Sequence, residues 1–275
     1  MSEARAYGRL RERTNAVDVW HGRTPSPPGP DDRSPDPSAP GPPTPDAPDP
    51  DPLSPDPLSP AEARRARRLP EPAATRYAAA HRAMRRVLAG YLGVPAPALE
   101  FGRHPCPRCA HPEHGRPRLV RPVTDLEFSL SRSGPYWALA VTAGRPVGVD
   151  IETGRALDTT PAAHYALGAA EAAHVLAAAE PAHAFLRCWT RKEAVVKAVG
   201  TGIVTALRAI DVHPADPGPV RVVVPPGSGA WLVRDLRPAD GVFAALAHPA
   251  AGAPGPVAVR PYPGPAAPPP STHER

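Results

Sequence analysis

The chain has 275 residues, 44 of them Pro and 22 Gly, and its formal net charge is +5 at pH 7. So much Pro predicts segments without regular structure, the odd count of three Cys argues against a disulfide framework, and no apolar run is long enough to cross a membrane. Residues 1–9 lack the apolar stretch of a secretory signal, so a cytoplasmic location is expected.

Residues 24–60 form a Pro-rich tract in which 16 of 37 residues are Pro, seven are Asp and one is Arg. With almost no large apolar side chains, the tract cannot offset the entropy lost on ordering. We therefore expect a disordered, polyproline-like insertion at 24–57 that acts as a spacer, with a Pro-rich partner motif as the alternative. Its charge of −6 leaves +11 on the other 238 residues, which favours an acidic partner, a nucleic acid or a phosphate-rich ligand.

Outside this tract, the spacing of apolar residues alternates between the periods of strands and helices. The pattern predicts a strand at 15–20, a helix beginning at Ser59 and Pro60, which suit a helix cap and first turn, and a second helix at 76–92. Further predicted elements are strands at 126–130, 136–142 and 146–152, helices at 160–180 and 182–199, and strands at 210–213, 220–224, 230–235 and 241–247.

The order of these elements, helices followed by strands and then again, predicts an α+β fold with two similar halves. The first half would cover residues 58–145 together with an N-terminal strand region at 1–23. The second half would cover 146–262, followed by a disordered tail at 263–275.

Two carboxylates stand close together on the predicted strand at 146–152. Because side chains alternate along a strand, Asp150 and Glu152 point to one face, while Val149 and Ile151 point to the other and would be buried. Like charges side by side are unfavourable without a cation between them, and Mg²⁺ prefers oxygen ligands. Glu193 would be a third carboxylate if its helix packs beside this strand. The alternative is an acidic, solvent-facing strand.

Lysine is concentrated in one segment of the chain. Of the 32 basic residues, Lys192 and Lys197 are the only two lysines, and both lie in the predicted helix at 182–199, near Trp189. Glu193 and Lys197 form an i,i+4 pair, which alone could be an ordinary surface ion pair. Carboxylates, lysines and many arginines are the ingredients of phosphoryl transfer, although the glycine-rich loops of nucleotide-binding enzymes and kinases are absent.

The segment Gly148-Val-Asp-Ile-Glu152, followed by Trp189-Thr-Arg-Lys-Glu-Ala-Val-Val-Lys197, resembles the paired signature of 4′-phosphopantetheinyl transferases. The long type, named after the surfactin synthetase activator Sfp, fits best. The resemblance implies Mg²⁺-dependent transfer of the phosphopantetheine arm of coenzyme A to a serine of an acyl or peptidyl carrier protein, as in a holo-[acyl-carrier-protein] synthase. It also implies a monomer with pseudo-twofold halves and the active site in the cleft between them, and acidic carriers as partners.

The resemblance also implies roles for individual residues. Asp150, Glu152 and Glu193 would hold Mg²⁺ against the diphosphate, Glu193 would accept the serine proton, and Lys197 would protonate the leaving group. The residues implied to contact coenzyme A are Arg82, Arg116, Ser131, Arg132, Lys192 and Lys197.

One position departs from the family pattern. Where family members usually have Ser-His-Ser-Gly, this chain has Ser131-Arg-Ser-Gly134. Arg132 can bind phosphate through two parallel hydrogen bonds but cannot act as a neutral imidazole donor. We expect altered cofactor affinity rather than loss of activity.

Two alternatives remain at this point. The protein could be a non-catalytic basic module that binds coenzyme A or nucleic acid, although an aromatic content of 5% is low for single-stranded nucleic-acid binding. The loop holding Cys106, Cys109, His111 and His114 is dense in zinc-ligand types, and a polar loop with incidental thiols is the alternative to a zinc site.

Overall fold

The fold is that of a computed structural model of the chain. The structure describes residues 10–13, 15–24, 58–112, 114–154, 160–202, 206–225, 227, 229–252 and 255–264. The predicted insertion at 24–57, except Thr24, and most of the predicted tail at 263–275 lie outside these residues. Among the described helices, none is both long and apolar enough to cross a membrane.

Helices and strands are mixed along the described chain. The helices are α1 (Pro60–Arg67), α2 (Ala73–Leu92), α3 (Thr160–Ala166), α4 (Ala169–Ala177) and α5 (Pro181–Val199). The strands are β1 (Val17–Arg23), β2 (Glu100–Arg103), β3 (Pro117–Arg121), β4 (Leu126–Ser133), β5 (Tyr136–Ala143), β6 (Gly148–Thr153), β7 (Val220–Val223), β8 (Ala230–Leu236), β9 (Val242–Pro249) and β10 (Val257–Pro261). The predicted α+β fold class is confirmed.

The first sheet has the strand order β10-β1-β5-β4, in which β10 runs parallel to β1 and the other pairs are antiparallel. Helix α2 packs on one face of this sheet, where Leu88 lies in one cluster with Leu139 and Val141. The position of β10 corrects the predicted boundary of the second half at 146–262, because residues 257–261 complete the first sheet.

Helix α1 is fixed to α2 by a buried ion pair. Ser59 caps α1 in a capping box with Glu62, as its sequence predicts. The Glu62 carboxylate also accepts a hydrogen bond from Nε of Arg85 at 2.7 Å and lies 3.0 Å from Nδ1 of His81. Burial alone would raise the pKa of Glu62, but hydrogen bonds from His81, the Ser59 backbone and Arg85 outweigh it and lower the pKa to about 2.

The second sheet is antiparallel in the order β6-β9-β8-β7. Helix α5 covers one of its faces, where Cys188 and Val195 join a buried cluster with Val233 and Ala245. The other face of β6 packs against the first sheet, with Val149 and Ile151 completely buried in a cluster shared with β1 and β5. The predicted buried face of this strand is therefore confirmed.

Two element predictions were wrong. Residues 210–213 are not a strand, because their carbonyl groups accept hydrogen bonds from the buried side chains of Lys192 and Arg191 instead of pairing with a neighbouring strand. The predicted helix at 160–180 is divided into α3 and α4 at Gly168, whose backbone N–H donates to the Glu171 carboxylate at 2.8 Å. The pattern also missed β2, β3 and β10.

Candidate active site

The site exists because β6 and α5 approach each other unusually closely. A Cβ atom at Gly148 would lie 2.0 Å from the Ala194 carbonyl oxygen and 2.5 Å from the Ala198 backbone nitrogen, far inside contact distance. A glycine is therefore required at the start of β6. The close approach places Glu193 and Lys197, on the facing side of α5, over the carboxylates of β6.

Asp150 lies at the centre of this arrangement. Its Oδ1 atom accepts hydrogen bonds from Lys197 Nζ at 2.5 Å and from the Ser131 hydroxyl at 2.8 Å, and Lys197 Nζ also donates to Ser131 Oγ at 2.8 Å. Asp150 is buried, whereas the Lys197 side chain is 30% exposed. The ammonium group thus neutralises a buried carboxylate and remains accessible to a ligand.

The other two predicted carboxylates lie beside Asp150. Glu152 accepts a hydrogen bond from the Ser133 hydroxyl at 2.5 Å. Burial raises the pKa of Glu193, the negative charges of Asp150 and Glu152 raise it further, and the positive charge of Lys197 opposes them. Glu193 is therefore a stronger base than an exposed carboxylate.

These groups open into one cavity of about 420 Å³. The predicted site residues that line it are Ser131, Arg132, Asp150, Glu152, Glu193 and Lys197. Tyr165 and Trp189 form part of its aromatic wall, and the Trp189 ring lies 5.9 Å from that of Phe185. The structure thus brings the predicted metal-binding and catalytic residues into one place.

The carboxylates fit a divalent cation in chemistry and in charge. Oδ2 of Asp150 is buried and has no hydrogen-bond partner within the described part of the chain, and three negative charges share one cavity. As the side chains stand, no three His, Cys, Asp or Glu residues among those described are gathered tightly enough to hold an ion. Binding would thus require small side-chain movements that bring the three carboxylates closer together, with Oδ2 as the available oxygen of Asp150.

The position of Lys192 contradicts the prediction that this residue contacts coenzyme A. Its side chain has no exposed surface, and Nζ lies 2.6 Å from Oε2 of Glu171. Nζ also donates to the carbonyl groups of Leu207 and Ile210. From within the core, Lys192 therefore joins α5 to α4 and to residues 207–210, which follow α5 in the chain. It cannot reach a ligand.

The three predicted phosphate-binding arginines occupy different positions. Arg132 lines the cavity, and its guanidinium group lies 4.8 Å from the centre of the Tyr77 ring. Arg116 forms an ion pair with Glu127, Nε to Oε2 at 3.2 Å, next to the end of α5 at Gly200. Arg116 and Arg82, on α2, are not among the residues that line the carboxylate cavity.

The Cys/His loop between β2 and β3 is closed at its base, where His104 N–H donates to the Arg116 carbonyl at 2.9 Å. Within it, Cys109 Sγ lies 3.4 Å from Nδ1 of His114, and the rings of His111 and His114 stack. In the residues that the structure describes, these side chains do not form a metal-holding group of three or more.

Sequence reasoning missed residues that support the site. Gly148 sets the approach of helix and strand, and Ser129 and Ser133, together with the predicted Ser131, hold β6 through their hydroxyl groups. The signals were present, since a glycine opens the acidic strand and serines recur at every second position of β4. Only Ser131 was assigned to the site.

Comparison with known proteins agrees with this geometry. Residues 146–246, which contain β6 and α5, match the family model of the 4′-phosphopantetheinyl transferase superfamily. The chain is 30% identical over 177 residues to 4′-phosphopantetheinyl transferase HetI of Nostoc sp., covering 62% of this chain and 70% of that protein. It is 29% identical over 144 residues to 4′-phosphopantetheinyl transferase psf-1 of Bacillus pumilus, covering 50% of this chain and 60% of that protein. The chain therefore belongs to the 4′-phosphopantetheinyl transferase superfamily.

Proposed function

We propose that this protein transfers the phosphopantetheine arm of coenzyme A to a serine hydroxyl of an acyl or peptidyl carrier protein, with Mg²⁺, and releases 3′,5′-ADP. The main observation behind the proposal is that three carboxylates and Lys197 line one cavity, at the place where β6 and α5 pack against each other. Membership in the superfamily supports the same reaction class.

Asp150, Glu152 and Glu193 are the residues that would hold Mg²⁺. Bound there, Mg²⁺ would offset the negative charge of the diphosphate during the transfer. The unpartnered Oδ2 of Asp150 supports its role as a ligand. All three side chains offer oxygen atoms, which suit a hard cation.

Glu193 is suited to accept the proton of the attacking serine. A general base works best when its pKa lies close to the working pH, and burial raises the pKa of Glu193 above that of an exposed carboxylate, an effect that a cation bound to Glu193 would oppose. Its position on the cavity wall allows direct proton transfer or transfer through one water molecule.

Lys197 is suited to hold the diphosphate and to protonate the departing 3′,5′-ADP. An ammonium group has three N–H donors, and two of them are used on Asp150 and Ser131. The third can point into the cavity. Arg132 adds a second cation at the same wall, and we propose Arg82 and Arg116 as more distant contacts of the cofactor's phosphates.

The basic character of the chain outside the Pro-rich tract supports an acidic carrier as the partner. Long-range attraction between a basic protein and an acidic one speeds their encounter. At the end of helix α1, Arg64, Arg65, Arg67 and the following Arg68 are exposed and could contribute to this attraction or to contact with the 3′-phosphate.

Intact-mass spectrometry tests the proposal directly. An apo carrier protein incubated with this protein, coenzyme A and Mg²⁺ should gain the mass of one phosphopantetheine group, and EDTA should prevent the gain. Glu193→Gln should reduce turnover by roughly 10²–10⁴-fold, as loss of a positioned acid–base group does. Failure to modify fatty-acid, polyketide and nonribosomal-peptide carriers, with coenzyme A still bound, would instead indicate a non-catalytic binding module.

A further inference from the structure

Strands β4 and β6 are joined by a row of serine hydroxyls. Ser129, Ser131 and Ser133 lie at alternate positions of β4, and their Oγ atoms accept the backbone N–H groups of Val149, Ile151 and Thr153 at 3.2, 3.4 and 3.2 Å. The two strands belong to different sheets. Side chains thus replace the backbone ladder at the boundary between the sheets.

Two of the three serines also hold a carboxylate of the candidate site. Ser131 donates its hydroxyl hydrogen to Asp150 and Ser133 donates its own to Glu152. A hydroxyl has one hydrogen, and because an ionised carboxylate can only accept, the 2.5 Å contact with Glu152 uses the hydrogen of Ser133, and the hydroxyl of Thr153 at 3.4 Å can act as the donor in its own contact with Ser133. Ser129 makes the backbone contact without a carboxylate partner among the described residues.

The carboxylate of Glu152 needs such a restraint. It shares the cavity with the negative charges of Asp150 and Glu193, and repulsion between like charges favours rotation of its flexible side chain away from them. The 2.5 Å hydrogen bond from Ser133 Oγ to Glu152 Oε2 opposes that rotation. Charged hydrogen bonds of this kind are short and strong.

We propose that Ser133 is a positioning residue that holds Glu152 ready to bind the divalent cation. The inference rests on the proposed metal-dependent function and deepens it. Hydrogen-bonding partners of metal ligands commonly change metal affinity by about 10–100-fold when they are removed. Ser133 acts through Glu152 and needs no contact with coenzyme A or with the carrier.

The test compares Ser133→Ala with Ser129→Ala, which removes the same kind of bond to β6 without touching a carboxylate. Binding of Mn²⁺ in place of Mg²⁺, followed by electron paramagnetic resonance, gives the metal affinity without any turnover. Ser133→Ala should weaken Mn²⁺ binding by roughly 10–100-fold and raise the Mg²⁺ concentration that half-saturates transfer, with little change in turnover at saturating Mg²⁺. Ser129→Ala should retain wild-type Mn²⁺ affinity, and Ser133→Thr, which keeps the hydroxyl, should restore most of it.

Unchanged Mn²⁺ affinity in Ser133→Ala, or equal weakening in both alanine variants, would overturn the positioning role while leaving the transferase proposal intact. A wild-type protein that binds no Mn²⁺ would overturn the metal site itself and this role with it. Should Ser133→Ala fail to fold, Ser133→Cys keeps the side-chain volume with a weaker donor, and its Mn²⁺ affinity should also fall.

Discussion

The two lysines of the chain should respond to the same substitution in opposite ways. Lys192→Met keeps the length of the side chain and removes its charge. In the wild-type protein, Lys192 Nζ lies 2.6 Å from Glu171 Oε2, and both side chains are almost completely buried. The substitution leaves the Glu171 carboxylate in the core without its cation and removes the ammonium donor from the carbonyl groups of Leu207 and Ile210, of which Leu207 still accepts from the Ile210 N–H.

The expected loss of stability follows from that burial. Removal of one partner of a buried ion pair typically costs about 3–5 kcal/mol. For a domain of this size, each kcal/mol lowers Tm by roughly 2–4 °C, so Lys192→Met should lower Tm by roughly 6–20 °C. The KM for coenzyme A of the folded fraction, measured well below Tm, should stay close to the wild-type value.

Lys197→Met is the matched control on the same helix. It should reduce turnover by roughly 10²–10⁴-fold with a smaller fall in Tm, because the Lys197 side chain is 30% exposed and water can reach Asp150 in its place. Thermal denaturation and steady-state kinetics on both variants provide the comparison. A Lys192→Met variant with unchanged Tm and a strongly raised KM for coenzyme A would refute the reasoning and return Lys192 to the binding site.

Three further predictions concern packing, pH and metal. Gly148→Ala should lower Tm strongly and abolish transfer, because the added Cβ would lie 2.0 Å from the Ala194 carbonyl oxygen. A variant with the Tm of the wild type would contradict the close approach of β6 and α5. Glu62→Gln should destabilise the protein at pH 7 by up to about 3 kcal/mol, since the pKa of Glu62 is lowered to about 2 from 4.5. That stability is present above pH 4.5 and is lost as pH falls toward 2. Denaturant titrations should therefore show that the free energy of unfolding differs less between wild type and Glu62→Gln as the pH falls through this range. A difference that stays constant with pH would contradict the lowered pKa of Glu62. Saturating Mg²⁺ should raise Tm by a few degrees in wild type but not in Asp150→Ala, as measured by differential scanning fluorimetry.

Local patterns in the sequence were sufficient for several parts of the fold. Alternation along β6 predicted that Val149 and Ile151 would be buried and that Asp150 and Glu152 would share the opposite face, and the cap at Ser59 predicted the start of α1. These features depend on neighbouring residues only. The strand predicted at 210–213 failed because its backbone bonds to side chains that come from a distant part of the chain.

The roles of the two lysines show where the sequence reaches its limit. The sequence determined that Lys192 and Lys197 lie on one helix, five residues apart. At 3.6 residues per turn, their side chains are rotated by about 140° from each other and point to different sides of the helix. Which side faces a ligand depends on what covers each face. Only the tertiary structure decided this, because α4 brings Glu171 against Lys192, while the absent side chain of Gly148 lets β6 bring Asp150 to Lys197.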